Sequence, residues 1–195
     1  MALIPAHNND DRTIAELQYQ VSLYEDQAAY KTLFFILFPS LQNFAFSIVK
    51  SRQLAEEIAS DIMMELWQRR KQLSEIQNLR LYTLVSVKNA AIARLKQENK
   101  AARFSIEELQ VEFVSEYSHP DEAAEYQQLE AAVTRAVKEL PASCQLIYKL
   151  AKEDRLRYKD IAELLQLSVK TIDNQLAIAL KKIAVAISDF SAQKK

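Results

Sequence analysis

The sequence predicts an all-α protein built as two small helical domains joined by an acidic linker. Three observations carry that expectation. The 195 residues include 0 glycines, which disfavours β-hairpins, glycine-rich phosphate loops and dinucleotide fingerprints together. Leu, Ala, Ile, Lys, Glu and Gln dominate the composition, a mix weighted toward helix formers. Charge is also unevenly placed. The formal net charge is only −1, yet between Ile106 and Glu130 there are eight acids (Glu107, Glu108, Glu112, Glu116, Asp121, Glu122, Glu125, Glu130) and no Lys or Arg. The stretches on either side, "KNAAIARLKQENKAAR" (88–103) and "KLAKEDRLRYK" (149–159), lean basic, which reads as domain, linker, domain.

The boundaries that follow are a tail over 1–21, a helical domain over 22–98, an acidic linker over 99–120 and a second helical domain over 121–195. No internal repeat is present. The lone Cys144 excludes an internal disulfide and fits a reducing compartment. No charged-then-apolar leader opens the chain, and no apolar run is expected to be long enough to span a bilayer. The expectation is a soluble cytoplasmic protein with no membrane insertion of its own.

Taken in order, "PAHNNDDR" (5–12) has little apolar content and begins the expected loose tail. "YEDQAAYKTLFFILF" (24–38) is helical in pattern and should break or kink at Pro39, whose ring clashes with the preceding turn. "SLQNFAFSIVKS" (40–51) then resumes, with Ser40 as N-cap. In "LAEEIASDIMMELWQRR" (54–70), Leu54, Ile58, Ile62 and Leu66 recur every four residues and predict a buried stripe. Met64 and Trp67 sit off that stripe, where either the rest of the domain or a partner must cover them. "KQLSEIQN" (71–78) reads as a loop and "LRLYTLVSVKNAAIARLKQ" (79–97) as the next helix. Within the acidic segment, "SIEE" (105–108) fits a capping box, and Pro120 with Asp121 and Glu122 predicts a helix start. Pro141 sits where the first turn of a further helix begins, and Cys144 should pack inside it.

The last stretch, "RYKDIAELLQLSVKTIDNQLAIALKK" (157–182), predicts two helices with a tight break. In the first, Ile161, Leu164 and Leu165 are apolar and Ala162 is small; "QLS" is the turn, and Ser168 is a good N-cap for a helix starting at Val169. At about 100° per residue, Val169, Ile172, Leu176, Ala179, Leu180 and Ile183 share one stripe. Lys170, Thr171, Asn174 and Lys181 lie opposite, Ile178 falls near that polar face, and Gln166 stands where such turns usually carry glycine. A short helix, a tight turn and a longer helix with polar residues at its exposed start is helix-turn-helix geometry. Lys and Asn there have donors for base edges in the major groove, and Thr can contact either partner. The plain alternative is a hairpin in a helical bundle with solvated polar residues; Ala162, the turn length and the Ser168 cap favour the DNA reading.

These residues carry a family likeness. "ELPASCQLIYKLAKEDRLRYKDIAELLQLSVKTIDNQLAIALKKI" resembles the C-terminal DNA-binding domain of bacterial sigma factors of the sigma-70 class, most of all the extracytoplasmic-function branch. Independently, "LAEEIASDIMMELWQRR" resembles the family helix that docks on the clamp helices of the RNA polymerase β′ subunit. "NLRLYTLVSVKNAAIARLK" resembles the adjoining helix that reads and opens the −10 element. The likeness covers about 24–100 and 125–185. It implies a protein that does no bond chemistry, binds core polymerase (β′ clamp helices and β flap) and promoter DNA, needs no cofactor, and is held by an anti-sigma factor.

By the same resemblance Glu56, Glu57, Asp61 and Trp67 lie on the polymerase-docking surface, with Ser60-Asp61 where the family has a Gln-Glu pair. The −10 reader maps onto Asn78, Arg80, Tyr82, Lys88 and Asn89, with Tyr82 at a frequent Trp position and Ala93 at a frequent Asp position. Arg and Lys would anchor phosphates, while Asn and Tyr bond to or stack on an unstacked base. Loop 71–78 matches the family's seat for a flipped −10 base. Tyr82 has a plain alternative as core, and Arg94 and Lys96 as surface charge. The −35 reader comprises Lys170, Thr171 and Asn174 for bases, with Arg157, Gln175 and Lys181 as backbone or shoulder contacts. The acid run would enter polymerase channels built for phosphates, or simply be a solvated linker.

Two other function classes fit less of the sequence: a stand-alone helix-turn-helix regulator, and an all-α adaptor without DNA contact. An enzyme is the weakest, because His7 and His119 form no ligand or triad spacing with acids or Cys144.

Overall fold

The computed structural model describes residues 9–98 and 124–192. All regular structure among them is helical, and the chain divides into two compact units, Met1–Phe104 and Ser105–Lys195.

The first unit contains α1 (Asn9–Tyr24), α2 (Gln27–Val49), α3 (Arg52–Gln68), a short 3-10 helix (Arg70–Glu75) and α4 (Leu79–Glu98). Its centre is α2, which packs on α1, α3 and α4. Asp26 caps α2 by accepting from the Ala28 and Ala29 N–H groups at 2.8 and 3.1 Å. The break expected at Pro39 does not occur: α2 runs through it, and Ser40 caps nothing. Leu33, Leu37, Leu41, Phe44 and Ile48 are buried along one stripe on both sides of the proline. Each contributes about 1.5–3 kcal/mol of burial. Together they outweigh the roughly 3 kcal/mol an interior proline costs.

The N-terminal tail is likewise corrected. From Asn9 the chain is helical, and Ile14, Gln18 and Val21 are buried at i, i+4, i+7 spacing against the 3-10 helix and α2. The expectation of no bilayer-length run also needs correcting. By length and composition α2 qualifies, with a hydropathy of 1.6 over its best window, and 44% of that window is buried inside the unit.

The second unit contains α5 (Ala124–Lys138), α6 (Ala142–Lys152), α7 (Tyr158–Leu165) and α8 (Val169–Ala192). The other three helices all pack on α8. Val137, Leu140, Cys144, Ala179 and Ile183 form a buried cluster, with Val133 and Tyr148 against it. Cys144 packs inside α6 as expected, and burial pushes its thiol pKa up. Of the predicted α8 stripe, Ile172, Leu176, Ala179 and Ile183 are buried, whereas Val169 and Leu180 are exposed. The stripe is narrower than the pattern suggested: α5, α6 and α7 bury four of its six positions. "SIEE" (105–108), Pro120, most of the acid run, His7 and His119 lie outside the described residues.

Without glycine, left-handed backbone among the described residues falls to Glu25, Lys50, Arg155 and Gln166, at φ 52°, 57°, 54° and 57°. A residue with a Cβ costs about 1–2 kcal/mol there.

Candidate nucleic-acid interface

The α7–α8 pair begins with Arg157, which pairs with the buried Asp160 at 2.8 Å and so fixes the start of α7. α7 buries Ile161, Ala162, Leu164 and Leu165. At its end Gln166 takes the left-handed conformation (φ 57°, ψ 41°), and the Leu167 N–H closes on the Ala162 carbonyl at 2.9 Å. This is the turn geometry glycine usually supplies, adopted here by glutamine.

Ser168 then caps α8. Its Oγ accepts from the Thr171 N–H at 3.0 Å and shares a hydrogen bond with Thr171 Oγ1 at 2.8 Å. Lys170, Asn174 and Lys181 are exposed, and Thr171 is half-buried by its bond to the cap. Lys170 makes a solvent-side pair with Asp173 at 3.5 Å, weak enough to exchange for another anion. Gln175 is turned inward: its Oε1 accepts from the Cys144 thiol. Its expected shoulder contact is therefore limited to the amide nitrogen. The exposed face of α8 also carries Ile178, Val185 and Ile187.

In the first unit, α4 presents Tyr82, Ser86, Asn89, Ala93 and Lys96 along one outward face by its 3.6-residue period. Tyr82 (38% exposed) and Ser86 line a cavity of about 280 Å³ with Ile62, Leu66, Leu73 and Ile76; Glu65, Arg69, Gln72 and Glu75 add polar groups. That volume is near the lower end of small-molecule sites.

Three of the five expected −10 residues lie elsewhere. Asn78 caps α4, its Oδ1 accepting from the Leu81 N–H at 3.0 Å. Lys88 is on the inward face at 7% exposure, and the Nε of Arg80 is buried without a hydrogen-bond partner. At about 100° per residue, Arg80 falls about 160° and Lys88 about 120° from Tyr82, so neither shares its outward face; Lys88 is buried, and Arg80 is half-buried with its Nε enclosed. Tyr82 and Asn89 remain exposed.

On α3, the outward face carries Gln53, Glu56, Glu57, Ser60, Asp61, Met64 and Trp67. Glu56, Glu57 and Asp61 line a shallow recess with Arg94, whose guanidinium stands 3.9 Å from Asp61. Met64 is 55% exposed. Trp67 is half-buried, packed on the Tyr30 ring at 4.9 Å and under the Arg70 guanidinium at 4.8 Å. The unit itself covers much of Trp67 and leaves Met64 exposed. No group of three metal-ligating side chains exists among the described residues.

The sequence reading missed the support of the cavity wall by α1. Gln18 Nε2 donates to the Leu73 carbonyl and, at 2.7 Å, to the Ile76 carbonyl. Ser22 Oγ bonds the Lys71 carbonyl and Ser74 Oγ, both at 3.0 Å. Glu25 accepts from Arg70 at 2.6 Å and pairs with Lys71 at 3.2 Å, which hold its carboxyl below the usual carboxylate range. The available signal was the spacing of Ile14, Gln18 and Val21.

Two family models match the chain: Sigma-70 region 2 over residues 37–101 and Sigma-70, region 4 over residues 130–183. Together they span more than half of it, in the order of the two units. The chain belongs to the sigma-70 family.

As a sigma factor it binds core RNA polymerase and directs promoter recognition and transcription initiation. Region 2 covers most of α2, all of α3 and α4 and the cavity; region 4 covers α6, α7 and most of α8. No curated protein sequence matches this sigma factor significantly. Among solved structures, CnrH in complex with the cytosolic domain of CnrY is 15% identical, covering 91% of this chain and 98% of that one, with TM-score 0.49. The sigma factor RpoE with the anti-sigma factor NepR from Bartonella quintana is 16% identical (82% and 96% covered, TM-score 0.49). Rhodobacter sphaeroides SigE with the anti-sigma ChrR is 21% identical (91% and 99% covered, TM-score 0.34).

Proposed function

We propose that this sigma factor belongs to the extracytoplasmic-function branch and works through three surfaces. The first turns of α8 enter the −35 major groove, with Lys170, Thr171 and Asn174 on base edges and Arg157 and Lys181 on the backbone. The cavity beside Tyr82 seats one unstacked base of the −10 element, with Asn89 next to it. The outward face of α3 grips the β′ clamp helices, Glu56, Glu57 and Asp61 supplying charge and Met64 and Trp67 the apolar contact.

One observation carries the reading. Lys170 and Asn174 are exposed at the capped start of a helix whose opposite side is closed into the core by Ile172, Leu176 and Ala179. That arrangement leaves the donors facing outward in a fixed register, as groove reading requires.

The proposal includes a cytoplasmic location, a separate acidic linker over 99–120 and an inhibitory anti-sigma partner. Exposed apolar side chains at Phe35, Ile178 and Val185 support such a partner, since they offer surface for it to cover.

Run-off transcription with core polymerase on a genomic fragment library tests the reading. Promoter-specific transcripts should appear and should lose their −35 dependence in a Lys170→Ala, Asn174→Ala protein. Binding to core without any promoter-specific transcript would refute it. Tight, specific binding of the free protein to duplex DNA would favour a stand-alone regulator.

A further inference from the structure

α1 lies before the segment matched to region 2, yet two successive turns of its one face, and Glu25 just past its end, grip the wall of the cavity. Gln18 is 7% exposed, and both hydrogens of its amide nitrogen end on backbone carbonyls of that wall, at Leu73 and Ile76. One turn on, Ser22 Oγ donates to the Lys71 carbonyl and is hydrogen-bonded to Ser74 Oγ, both at 3.0 Å. Just past the end of α1, where the backbone turns left-handed, Glu25 holds Arg70 and Lys71.

The gripped segment, Arg70–Glu75, is a 3-10 helix of 6 residues, longer than such helices usually persist unaided. Leu73 and Ile76, the two residues whose carbonyls Gln18 holds, also present side chains to the cavity, with Gln72 and Glu75 beside them. The position of those four side chains therefore depends on where α1 holds the backbone.

We propose that Gln18 and Ser22 are positioning residues for the cavity, setting its shape and so the base preference at the one promoter position it reads. This rests on the reading of the cavity as the seat of a −10 base. Neither residue touches DNA in this scheme; each acts through backbone carbonyls on the opposite side of the wall.

The test uses holoenzyme made from core polymerase and the full chain. The probe is a promoter found by run-off transcription and randomised over its −10 element, with bound sequences counted. Gln18→Leu keeps the bulk and removes both donors. It should lower the preference at one position by about fivefold or more, the factor a lost hydrogen bond corresponds to, leaving the other positions and competition for core unchanged. Ser22→Ala should lower the same preference less, and Ser22→Thr, which keeps the hydroxyl, should restore it.

A uniform drop at all positions together with weaker core binding would overturn the proposal, since that marks a general fold defect. So would an unchanged preference in Gln18→Leu. Should Gln18→Leu fail to fold, the variants of the half-buried Ser22 decide: a preference retained in Ser22→Ala overturns the proposal. Tyr82→Ala separates the two layers. If it alters no position, the cavity is not a base seat and both readings fall. If it alters one position while Gln18→Leu and Ser22→Ala do not, only the positioning role falls.

Discussion

Replacing Ser168 by Ala removes two hydrogen bonds from the first turn of α8, at 3.0 Å to the Thr171 N–H and at 2.8 Å to Thr171 Oγ1. Loss of an N-cap of this kind costs about 1 kcal/mol. The loss is local, because the rest of α8 is anchored by Ile172, Leu176 and Ala179 in the core. Only the turn carrying Lys170 and Thr171 is released to fray. DNA binding must re-form that turn, so the same free energy reappears in recognition as a factor of about five. The first assay is amide hydrogen exchange, in which the Thr171 N–H should lose its protection. The second is transcription by holoenzyme on a promoter with its −35 element intact or scrambled, where the ratio should fall about fivefold. Ser168→Asp restores the cap and adds a favourable charge at the helix start, yet sets a carboxylate beside DNA phosphates. It should recover the exchange protection and not the transcription ratio. An unchanged ratio in Ser168→Ala with demonstrably fast Thr171 exchange would refute the claim that order in this turn governs −35 reading.

Gln166→Gly relieves left-handed backbone, and after the extra chain entropy of glycine it should stabilise the second unit by about 0.5–1 kcal/mol, read as a higher denaturation midpoint with promoter choice unchanged. Burial pushes the Tyr30 phenol up to about 12, and it donates to the Met63 carbonyl. The folded state keeps it neutral where the unfolded chain ionises near pH 10, so this contribution is complete below pH 10 and is lost between there and about pH 12. Tyr30→Phe should flatten that part of the stability profile in denaturant titrations. Met64→Ala should change stability by less than about 0.5 kcal/mol, since the side chain is exposed, while weakening competition for core polymerase several-fold. Lys181→Ala should reduce the salt slope of promoter binding by about 1, and the buried Lys88→Gln should leave it unchanged.

Helices with a wide, regular stripe were legible because burial there follows local period alone. Ile58, Ile62 and Leu66 in α3, and Ile161, Leu164 and Leu165 in α7, are buried where spacing put them. The Ser168 cap was legible for the same reason, being a contact between residues three apart. What stayed hidden depends on partners far along the chain. Gln18 meets Leu73 and Ile76 across separations of 55 and 58 residues, which no window of sequence contains. Continuity through Pro39 was equally invisible, because the stripe that overrides the proline is completed by α1, α3 and α4. Lys88 was misplaced by residue type: its charge suggested a phosphate, while its place on α4 buries it; Arg80 is off the Tyr82 face and half-buried.

The proline-tolerant α2 has a consequence for the chain during its synthesis. Its 23 residues are apolar enough, at a hydropathy of 1.6, to pass as a bilayer segment until something covers them. The cover is largely downstream: α3 and α4 end at Glu98, 49 residues beyond Val49. At about 5–20 residues per second, a ribosome needs roughly 2–10 s to supply them. Over that interval the nascent chain displays a helix that membrane-insertion factors and chaperones are built to recognise. Within the helix itself, the charge of Lys31 and the polar breaks at Ser40, Gln42 and Asn43 oppose its capture.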